Sequence, residues 1–294
     1  MGTREYQVYN PIDIPKSLET DYQQAVPGFF EHDDPQRPLD ALPPRFGLLD
    51  ESADRWATFT SKIVKLNQEA PNGTHFKVFF LGRHGQGHHN VAENKYGTKA
   101  WDDYWSKLNG DGELVWGPDP DLTDVGIRQA KEAHAAWEAE RKLEVGIPLP
   151  EKLYCSPMTR AMHTHIITFD GIITVENQKT LILENCREEY GEHTCDKRRS
   201  RTVIHSEFPQ LEIEDGFTEE DELWTPERES EEHIITRAKA ILDRVFDADA
   251  GQFISITAHG GIINAILMAV GRRKYALPTG GVLPIVIKVT NRVV

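Results

Sequence analysis

Residues 77–85 read Lys-Val-Phe-Phe-Leu-Gly-Arg-His-Gly, a short apolar run that ends in a glycine and two chargeable side chains. An uninterrupted run of Val, Phe and Leu is typical of a strand that is buried on both faces, as in a parallel sheet. Arg83 and His84 therefore lie just beyond the carboxyl end of a predicted strand. We expect the chemistry of this protein to gather at that end of the sheet.

Further strand-like runs follow along the chain, each bounded by turn-forming residues. They occupy residues 151–154, 180–183, 252–257 and 282–290. Helical spacing of apolar residues is found between and before these strands, at residues 52–70, 158–168 and 262–270. Strands that alternate with helices predict an α/β three-layer sandwich, with a mainly parallel central sheet flanked by helices.

Two longer amphipathic helices have recognisable starts. One is predicted to begin after Thr123, whose hydroxyl is a good N-cap, and to extend to about Leu143. The other is predicted to begin after Thr225, with Pro226 at the first helical position, where a missing N–H is tolerated. It would continue to Val245 and bury an apolar face against the sheet.

The chain carries 33 basic and 47 acidic residues, a formal net charge of −14. Nucleic acids and anionic membranes bind to basic faces, so we expect neither as a partner. Apolar stretches such as 262–270 are too short for a transmembrane helix, and residues 1–6 lack the apolar core of a secretion signal. The three cysteines form no CxxC pair and indicate reduced thiols. These features predict a cytoplasmic protein.

Polar, chargeable residues follow three of the predicted strands. Arg83 and His84 follow the first strand, Arg160 lies just after the second, and His259 follows the strand at 252–257. Ligands of an open α/β sheet bind beyond the carboxyl ends of its strands, so we expect these residues to converge on one crevice. Two arginines and two histidines make an anion site, and the guanidinium fork suits the oxygens of a phosphate group.

The same residues belong to recognisable motifs. Arg83-His84-Gly85-Gln86 is followed by Asn90, and three further segments accompany it in order. They are Leu122-Thr123-x-x-Gly126-x-x-Gln129-Ala130, Ser156-Pro157-Met158-Thr159-Arg160-Ala161 and Ala258-His259-Gly260-Gly261. Together these motifs resemble those of the histidine phosphatase superfamily, also called phosphoglycerate-mutase-like, and of its phosphatase branch in particular. The resemblance covers about residues 77–290.

The resemblance suggests how the chain is divided. Residues 1–50 are rich in proline and acidic side chains and are expected to form an extended N-terminal arm. Residues 51–294 are expected to form a single histidine-phosphatase-like catalytic domain. Relative to the family pattern, this domain carries insertions at about 91–121 and 185–225.

The resemblance also implies a phosphomonoester hydrolase that acts on a small phosphorylated metabolite through a phosphohistidine intermediate. By the same resemblance, His84 is the nucleophile and His259 a second catalytic histidine, while Arg83, Asn90 and Arg160 bind the phosphoryl group. Because the arginines supply positive charge, neither a metal nor a cofactor is expected. The expected partner is a small-molecule phosphate ester, and a homo-oligomer is left open.

The proton donor is implied by a glutamate of the form Leu-Arg-Glu that precedes a glycine in the family. Here the segment from Asn185 to Gly191 contains Arg187-Glu188-Glu189, with the spacing to the glycine one residue short. Glu188 is therefore the expected general acid and base, and Glu189 is the alternative.

Three other functions fit part of the same pattern. A phosphoglycerate-mutase-type phosphoryl transferase would share these motifs, and a non-hydrolytic binding protein could retain the fold. A zinc hydrolase is the third, because His84 and His88 have the four-residue spacing of ligands on one helix face, with His89 beside them. Arg83 would repel such a cation.

Substrate choice is expected to lie in the two insertions. The aromatic residues of 91–121 either wall a pocket for an organic alcohol or form a local core. In the second insertion, Asp196-Lys197-Arg198-Arg199-Ser200-Arg201 either recognises a further anionic group of the substrate or is a solvated loop paired with the acidic stretch 212–222. If this run recognises an anionic group, replacing Arg198 and Arg199 together should raise KM for polyanionic substrates.

Overall fold

The computed structural model describes residues 23–34, 36–37, 40–174, 179–248 and 250–290. Its strands within these residues are β1 (Gln23–Ala25), β2 (Thr74–Arg83), β3 (Lys152–Cys155), β4 (Thr180–Ile182), β5 (Glu212–Ile213), β6 (Phe253–Ala258) and β7 (Val282–Thr290). They form one sheet in the order β1-β7-β2-β6-β3-β4-β5. The strands from β2 to β5 in that order run parallel, whereas β7 pairs antiparallel with β2 and with β1. A mainly parallel sheet is therefore confirmed.

The helices of the described chain are α1 (Arg55–Glu69), α2 (His88–Tyr96), α3 (Thr98–Asp103), α4 (Asp124–Arg141), α5 (Thr159–Phe169), α6 (Arg201–Glu207), α7 (Glu231–Ala248) and α8 (Gly260–Ala269). The start of α4 is as predicted, because the Thr123 hydroxyl accepts the backbone N–H of Gly126 at 3.1 Å. None of these helices combines the length and the apolar character needed to cross a bilayer.

Side chains of β2 alternate between the two faces of the sheet, as strand geometry requires. Phe79 and Leu81 are buried in a core that they share with α7 and α8. Val78 and Phe80 face the opposite way, into a core that contains Trp137 of α4 together with residues of α1 and α5. Helices thus cover both faces of the sheet, and the predicted three-layer α/β sandwich is confirmed.

The prediction that the last long helix begins after Thr225 is wrong, because α7 begins at Glu231. The carbonyl of Thr225 accepts the N–H of Glu192 at 2.9 Å, and the N–H of Glu229 donates to the carbonyl of Tyr190 at 2.9 Å. These two long-range bonds hold residues 225–230 beside the loop at 190–192. A Thr-Pro start signal is local, and here tertiary bonds to another loop override it.

The described residues between 23 and 50 pack against the rest of the domain. Strand β1 extends the sheet by pairing with β7. Phe30, Phe46 and Leu48 are buried in the same core as Trp137. Residues 1–22 of the expected N-terminal arm lie outside the described residues.

Three parallel strands deliver their carboxyl ends to one edge of the sheet. Arg83 at the end of β2 is in register with Ala258 of β6, and Cys155 of β3 is in register with Thr257 of β6. The residues that follow these strands therefore lie side by side. This edge carries the candidate site.

Candidate active site

His84 follows β2 directly and is only 2% exposed. Its backbone N–H donates to the carbonyl of Ala258 at 3.0 Å, which fixes the residue beside the end of β6. Its ring Nδ1 lies 2.7 Å from the carbonyl oxygen of Gly85, so Nδ1 carries the proton and donates. Burial and the charges of Arg160 and Arg83 hold the pKa of His84 well below its usual value. The ring is therefore neutral near pH 7, with Nε2 unprotonated.

The turn after His84 is packed tightly against the start of α4. A Cβ atom on Gly85 would lie 2.3 Å from the carbonyl oxygen of Gly126, and one on Gly126 would lie 2.2 Å from that of Gln86. The Gln129 side chain accepts the N–H of Gln86 at 2.7 Å. Gly126 and Gln129 of α4 therefore support the turn that follows His84.

His259 follows β6 and is fully buried. Its Nε2 lies 2.7 Å from the hydroxyl of Ser156, and its ring centroid lies 4.9 Å from that of His84. Burial and the charge of Arg160 lower the pKa of His259 well below its usual value. The two neutral imidazoles thus face each other at the sheet edge.

Two arginines flank the histidine pair. Arg83 donates from Nη1 to the carbonyl of Leu277 at 2.6 Å. Arg160 is fully buried and donates to the carbonyl of Cys195 at 2.8 Å and to Oδ1 of Asp196 at 2.9 Å. The Nε atoms of both arginines are buried without a hydrogen-bond partner in the part of the chain that the structure describes. An anion bound between the two arginines would satisfy these donors, although the Nε of Arg187, which is paired with Glu184 and Asp221, is unpartnered as well.

The carboxylate of Glu188 lies against the first turn of α8, near Arg83. Its Oε2 accepts the N–H of Gly261 at 3.1 Å, and its Oε1 accepts the N–H of Glu189 at 3.0 Å. Glu189 instead lies 3.7 Å from Arg228, and burial raises the pKa of its carboxyl. Of the two glutamates considered in the sequence, Glu188 is the one anchored against the glycine pair after His259.

Asn90 lies in the first turn of α2. Its Oδ1 accepts the backbone N–H of Gly87 at 3.0 Å, which is a capping contact for that helix. This bond holds the helix start close to the histidine turn. A contact between Asn90 and the phosphoryl group remains a prediction.

Two carboxylates for which the sequence predicted no contact with Arg160 lie against it. Asp196 bridges it to Arg228, whose Nη1 donates to Oδ2 of Asp196 at 2.9 Å. Asp119 is fully buried and lies 4.0 Å from Arg160. Asp119 also accepts both the N–H and the hydroxyl of Thr159, at 2.9 and 2.7 Å. These contacts join residues far apart in sequence, so no local pattern indicates them.

The aromatic residues of the first insertion form a local core, one of the two alternatives that the sequence left open. Trp101, Trp116, Ala92 and Cys195 are buried together, and further aromatic rings pack around them. The indole of Trp101 meets the ring of His193 edge-on, with ring centroids 6.0 Å apart. The insertion therefore supports the loop that carries Asp196.

The hypothesis that Arg198 recognises a second anion of the substrate is wrong. Its Nε donates to both carboxylate oxygens of Glu184, at 2.9 and 3.0 Å, and its guanidinium stacks 4.1 Å from the ring centroid of Phe217. Its Nη atoms donate to backbone carbonyls at 218–220. Arg198 is a buried structural residue, so the solvated loop of the alternative is also wrong for this residue, and its carboxylate partner lies outside the acidic stretch 212–222.

Arg199 is also engaged, although it is less buried. It donates to Glu207 at 2.6 Å and to Asp121 at 3.3 Å, and its Nε lies 3.6 Å from Asp119. Three carboxylates thus surround one guanidinium. The guanidinium of Arg199, which was expected to face the substrate, is instead paired with these carboxylates.

The premise of the zinc alternative fails on geometry. His84 and His88 would share a helix face only if both were helical, but α2 begins at His88 and His84 lies in the preceding turn. Among the described residues, three potential ligand atoms come within 4.8 Å of one another at His193, Cys195 and Asp196. Asp196 already bridges two guanidinium groups there, so that group is poorly suited to a cation.

Sequence comparisons agree with this geometry. Residues 79–279 match the model of the histidine phosphatase superfamily, branch 1. The chain is 44% identical over 283 residues to an Arthroderma benhamiae protein named "Probable phosphoglycerate mutase", which covers 90% of this chain and 84% of that protein. It is 36% identical over 290 residues to "Phosphomutase-like protein 3" of Candida albicans, covering 97% of this chain and 84% of the relative.

Among solved structures, the alpha-ribazole phosphatase from Shigella flexneri aligns with 73% of this chain and 96% of its own, at 18% identity and a TM-score of 0.44. The family match spans more than half of the chain and includes His84, Arg160, Glu188 and His259. The chain therefore belongs to the histidine phosphatase superfamily, branch 1.

Proposed function

We propose that this protein hydrolyses phosphomonoesters through a phosphohistidine formed on His84. The observation that carries the proposal is the 2.7 Å bond from Nδ1 of His84 to the carbonyl of Gly85. This bond fixes the tautomer in which Nε2 is free to attack phosphorus, and burial beside two arginines keeps the ring neutral. A nucleophilic histidine needs both conditions.

In the first step, Nε2 of His84 attacks the phosphorus atom and the P–O bond to the alcohol breaks. The departing oxygen takes a proton from the Glu188 carboxyl group. In the second step, the Glu188 carboxylate removes a proton from water, and the resulting oxygen attacks phosphorus. The N–P bond breaks, its electron pair returns to Nε2, and inorganic phosphate leaves.

The remaining side chains would hold the phosphoryl group during both steps. Arg83 and Arg160 would offer their unpaired Nε–H groups. If Nε2 of His259 accepts from the Ser156 hydroxyl, the proton of that ring sits on Nδ1, which is buried and unpaired among the described residues. His259 would then donate to a phosphoryl oxygen as a neutral imidazole.

The names of the curated relatives make a phosphoryl transferase the second candidate. A phosphoglycerate mutase must bind the carboxylate or second phosphate of its substrate as well as the transferred group. The nearby guanidinium groups of Arg198, Arg199 and Arg228 are all paired with carboxylates. This pairing favours the hydrolase and a substrate whose alcohol portion is not strongly anionic.

A product assay separates the two candidates. The purified chain is incubated with 3-phosphoglycerate and with a panel of phosphomonoesters of neutral alcohols, and both free phosphate and isomerised product are measured. We expect free phosphate from the neutral-alcohol esters and no isomerisation. His84→Ala should abolish release, while His205→Ala on the exposed side of α6 serves as the matched control. Isomerised product without phosphate would refute hydrolysis in favour of the mutase.

A further inference from the structure

His89, in the first turn of α2, lies close to the histidine pair without belonging to it. Its ring centroid is 5.4 Å from that of His84. Its Nδ1 atom is buried and has no hydrogen-bond partner within the described ranges of the chain. A polar ring atom in this state, beside a candidate phosphate pocket, requires an explanation.

The position of Nδ1 follows from the contacts of Gly87. A Cβ atom on Gly87 would lie 2.7 Å from both Nδ1 and Cε1 of His89, and 3.5 Å from Cδ of Arg160. The ring edge that carries Nδ1 therefore lies across the bare backbone of Gly87, on the side of Arg160. The absence of a side chain at Gly87 leaves the space that this ring edge occupies.

The surroundings of His89 are cationic or able to become so. Arg160, His84, Arg83 and His193 all act with burial to lower the pKa of His89. Asp196 and Asp119 partly offset the charge of Arg160, and Glu188 partly offsets that of Arg83. None of the main influences on His89 itself is a carboxylate, so an anion beside this ring would be favourable.

Buried histidines elsewhere in this protein differ in how their ring nitrogens are satisfied. His32 contacts the carbonyl of Pro284 through Nε2 and also has an Nδ1 without a partner among the described residues, so the unpartnered atom of His89 is informative because of its neighbours. His165 of α5 satisfies both ring nitrogens, with Nδ1 3.0 Å from the hydroxyl of Thr257 and Nε2 2.7 Å from that of Thr180. Both ring nitrogens of His165 are thus satisfied, whereas His89 has a buried, unpartnered nitrogen that lies over Gly87 beside the side chain of Arg160.

We propose that His89 is a further phosphoryl-binding residue, which donates Nδ1–H to an oxygen of the bound phosphate group. The proposal deepens the proposed function, and it requires only that the pocket bind a tetrahedral oxyanion. His89 would thus complete a ring of donors with Arg83, Arg160 and His259.

The test measures binding of orthovanadate and of inorganic phosphate to the full chain by isothermal titration calorimetry. His89→Leu and His89→Asn form a matched pair, because the two side chains have nearly the same shape and only asparagine places an N–H close to the position of Nδ1. Loss of one hydrogen bond to a charged group corresponds to about a tenfold to hundredfold weaker affinity. We expect that loss in His89→Leu and affinity within about threefold of the wild type in His89→Asn.

Two outcomes would overturn the proposal. One is unchanged affinity in His89→Leu; the other is an equal loss in both variants, which would mean that ring packing matters and the N–H does not. Thermal unfolding of both variants, with His205→Leu as the exposed control, reports any change in stability separately.

Turnover distinguishes this proposal from the function on which it rests. If the chain is a hydrolase, His89→Leu should lower kcat/KM by the same factor for esters with different alcohols, because the contact is with the transferred group. If no ester is hydrolysed but vanadate still distinguishes leucine from asparagine, the role of His89 stands and the hydrolase proposal fails. If esters are hydrolysed and vanadate binding is unchanged in His89→Leu, the hydrolase proposal stands and the proposed role of His89 fails.

Discussion

Gly261 donates its backbone N–H to Oε2 of Glu188 at 3.1 Å, and a Cβ atom on this glycine would lie 2.1 Å from Oε1 of the same carboxylate. The first turn of α8 therefore holds the carboxylate and requires the absence of a side chain at this position. Gly260, next to it, would bring a Cβ no closer than 3.5 Å to the guanidinium of Arg83, an ordinary contact. Gly261, but not Gly260, thus leaves the space that the carboxylate of Glu188 occupies.

Gly261→Ala tests the position of the carboxylate. The added methyl group should push the Glu188 side chain out of its bonded position, so proton transfer should slow and kcat should fall by about 10²-fold. Helix propensity favours alanine, so α8 itself should not be weakened. Gly260→Ala is the matched control and should lose much less activity in steady-state assays. Equal activity of the two variants would contradict the assignment of Glu188.

A second prediction concerns the carboxylate that holds Arg160. Asp196 lies 2.9 Å from both Arg160 and Arg228 and is buried. Asp196→Asn removes the charge from a buried network and should lower the free energy of unfolding by about 3–5 kcal/mol. The misplaced guanidinium of Arg160 should also raise KM. Urea unfolding and steady-state kinetics measure the two effects.

The control for this change is the exposed pair of Lys99 with Asp103, at 2.6 Å. Asp103→Asn should change the free energy of unfolding by less than about 0.5 kcal/mol, because exposed pairs contribute little. If Asp196→Asn were equally mild, the network would not be what holds Arg160 in place.

The residues at the strand ends could be predicted from sequence, because both signals involved are local. A run such as 77–81 reports a buried strand, and parallel strands bring Arg83, His84 and His259 to one edge whatever the loops do. The ion pairs behind them could not be predicted. Asp196 is 36 residues from Arg160, and the pairing of two charged residues across that separation has no periodicity.

Long-range pairing also explains where the sequence interpretation failed. Arg198 looks like a surface cation in a basic run, but the carboxylate of Glu184 and the ring of Phe217 bury it. Thr225 looks like a helix cap, but its carbonyl bonds to Glu192 instead. His89 entered the sequence interpretation only as a neighbour of the supposed zinc pair His84 and His88, because the placement of its ring over Gly87 depends on tertiary structure.

A third prediction follows from Asp119. Burial raises the pKa of its carboxyl to about 6, an effect that Arg160 partly offsets. The unfolded chain should titrate near the ordinary value of about 3.9, so the folded state holds this proton more tightly. The contribution of Asp119 to stability is therefore most favourable at low pH and falls as pH rises from about 4 through about 6.

Asp119→Asn removes this titration and keeps an acceptor for Thr159. Urea unfolding of both proteins from pH 4 to pH 7 should show the wild type losing stability relative to the variant, by at most about 1.4 kcal/mol per pH unit inside that window. Parallel stability curves would show that Asp119 titrates normally in the folded protein.

The last prediction concerns the contact between Gly126 of α4 and the turn that follows His84. A Cβ atom on Gly126 would lie 2.2 Å from the carbonyl oxygen of Gln86, two residues after His84. Gly126→Ala should favour α4 by about 1 kcal/mol through helix propensity alone, so any destabilisation must come from this clash. The turn would have to move by an ångström or more, and such a misplacement costs about 10²-fold in kcat/KM. Arg128→Ala on the exposed face of α4 is the control and should leave both properties unchanged. Wild-type kcat/KM in Gly126→Ala would mean that the turn after His84 can move away from α4 without loss of activity. The close contact between Gly126 and Gln86 would then not be needed for catalysis.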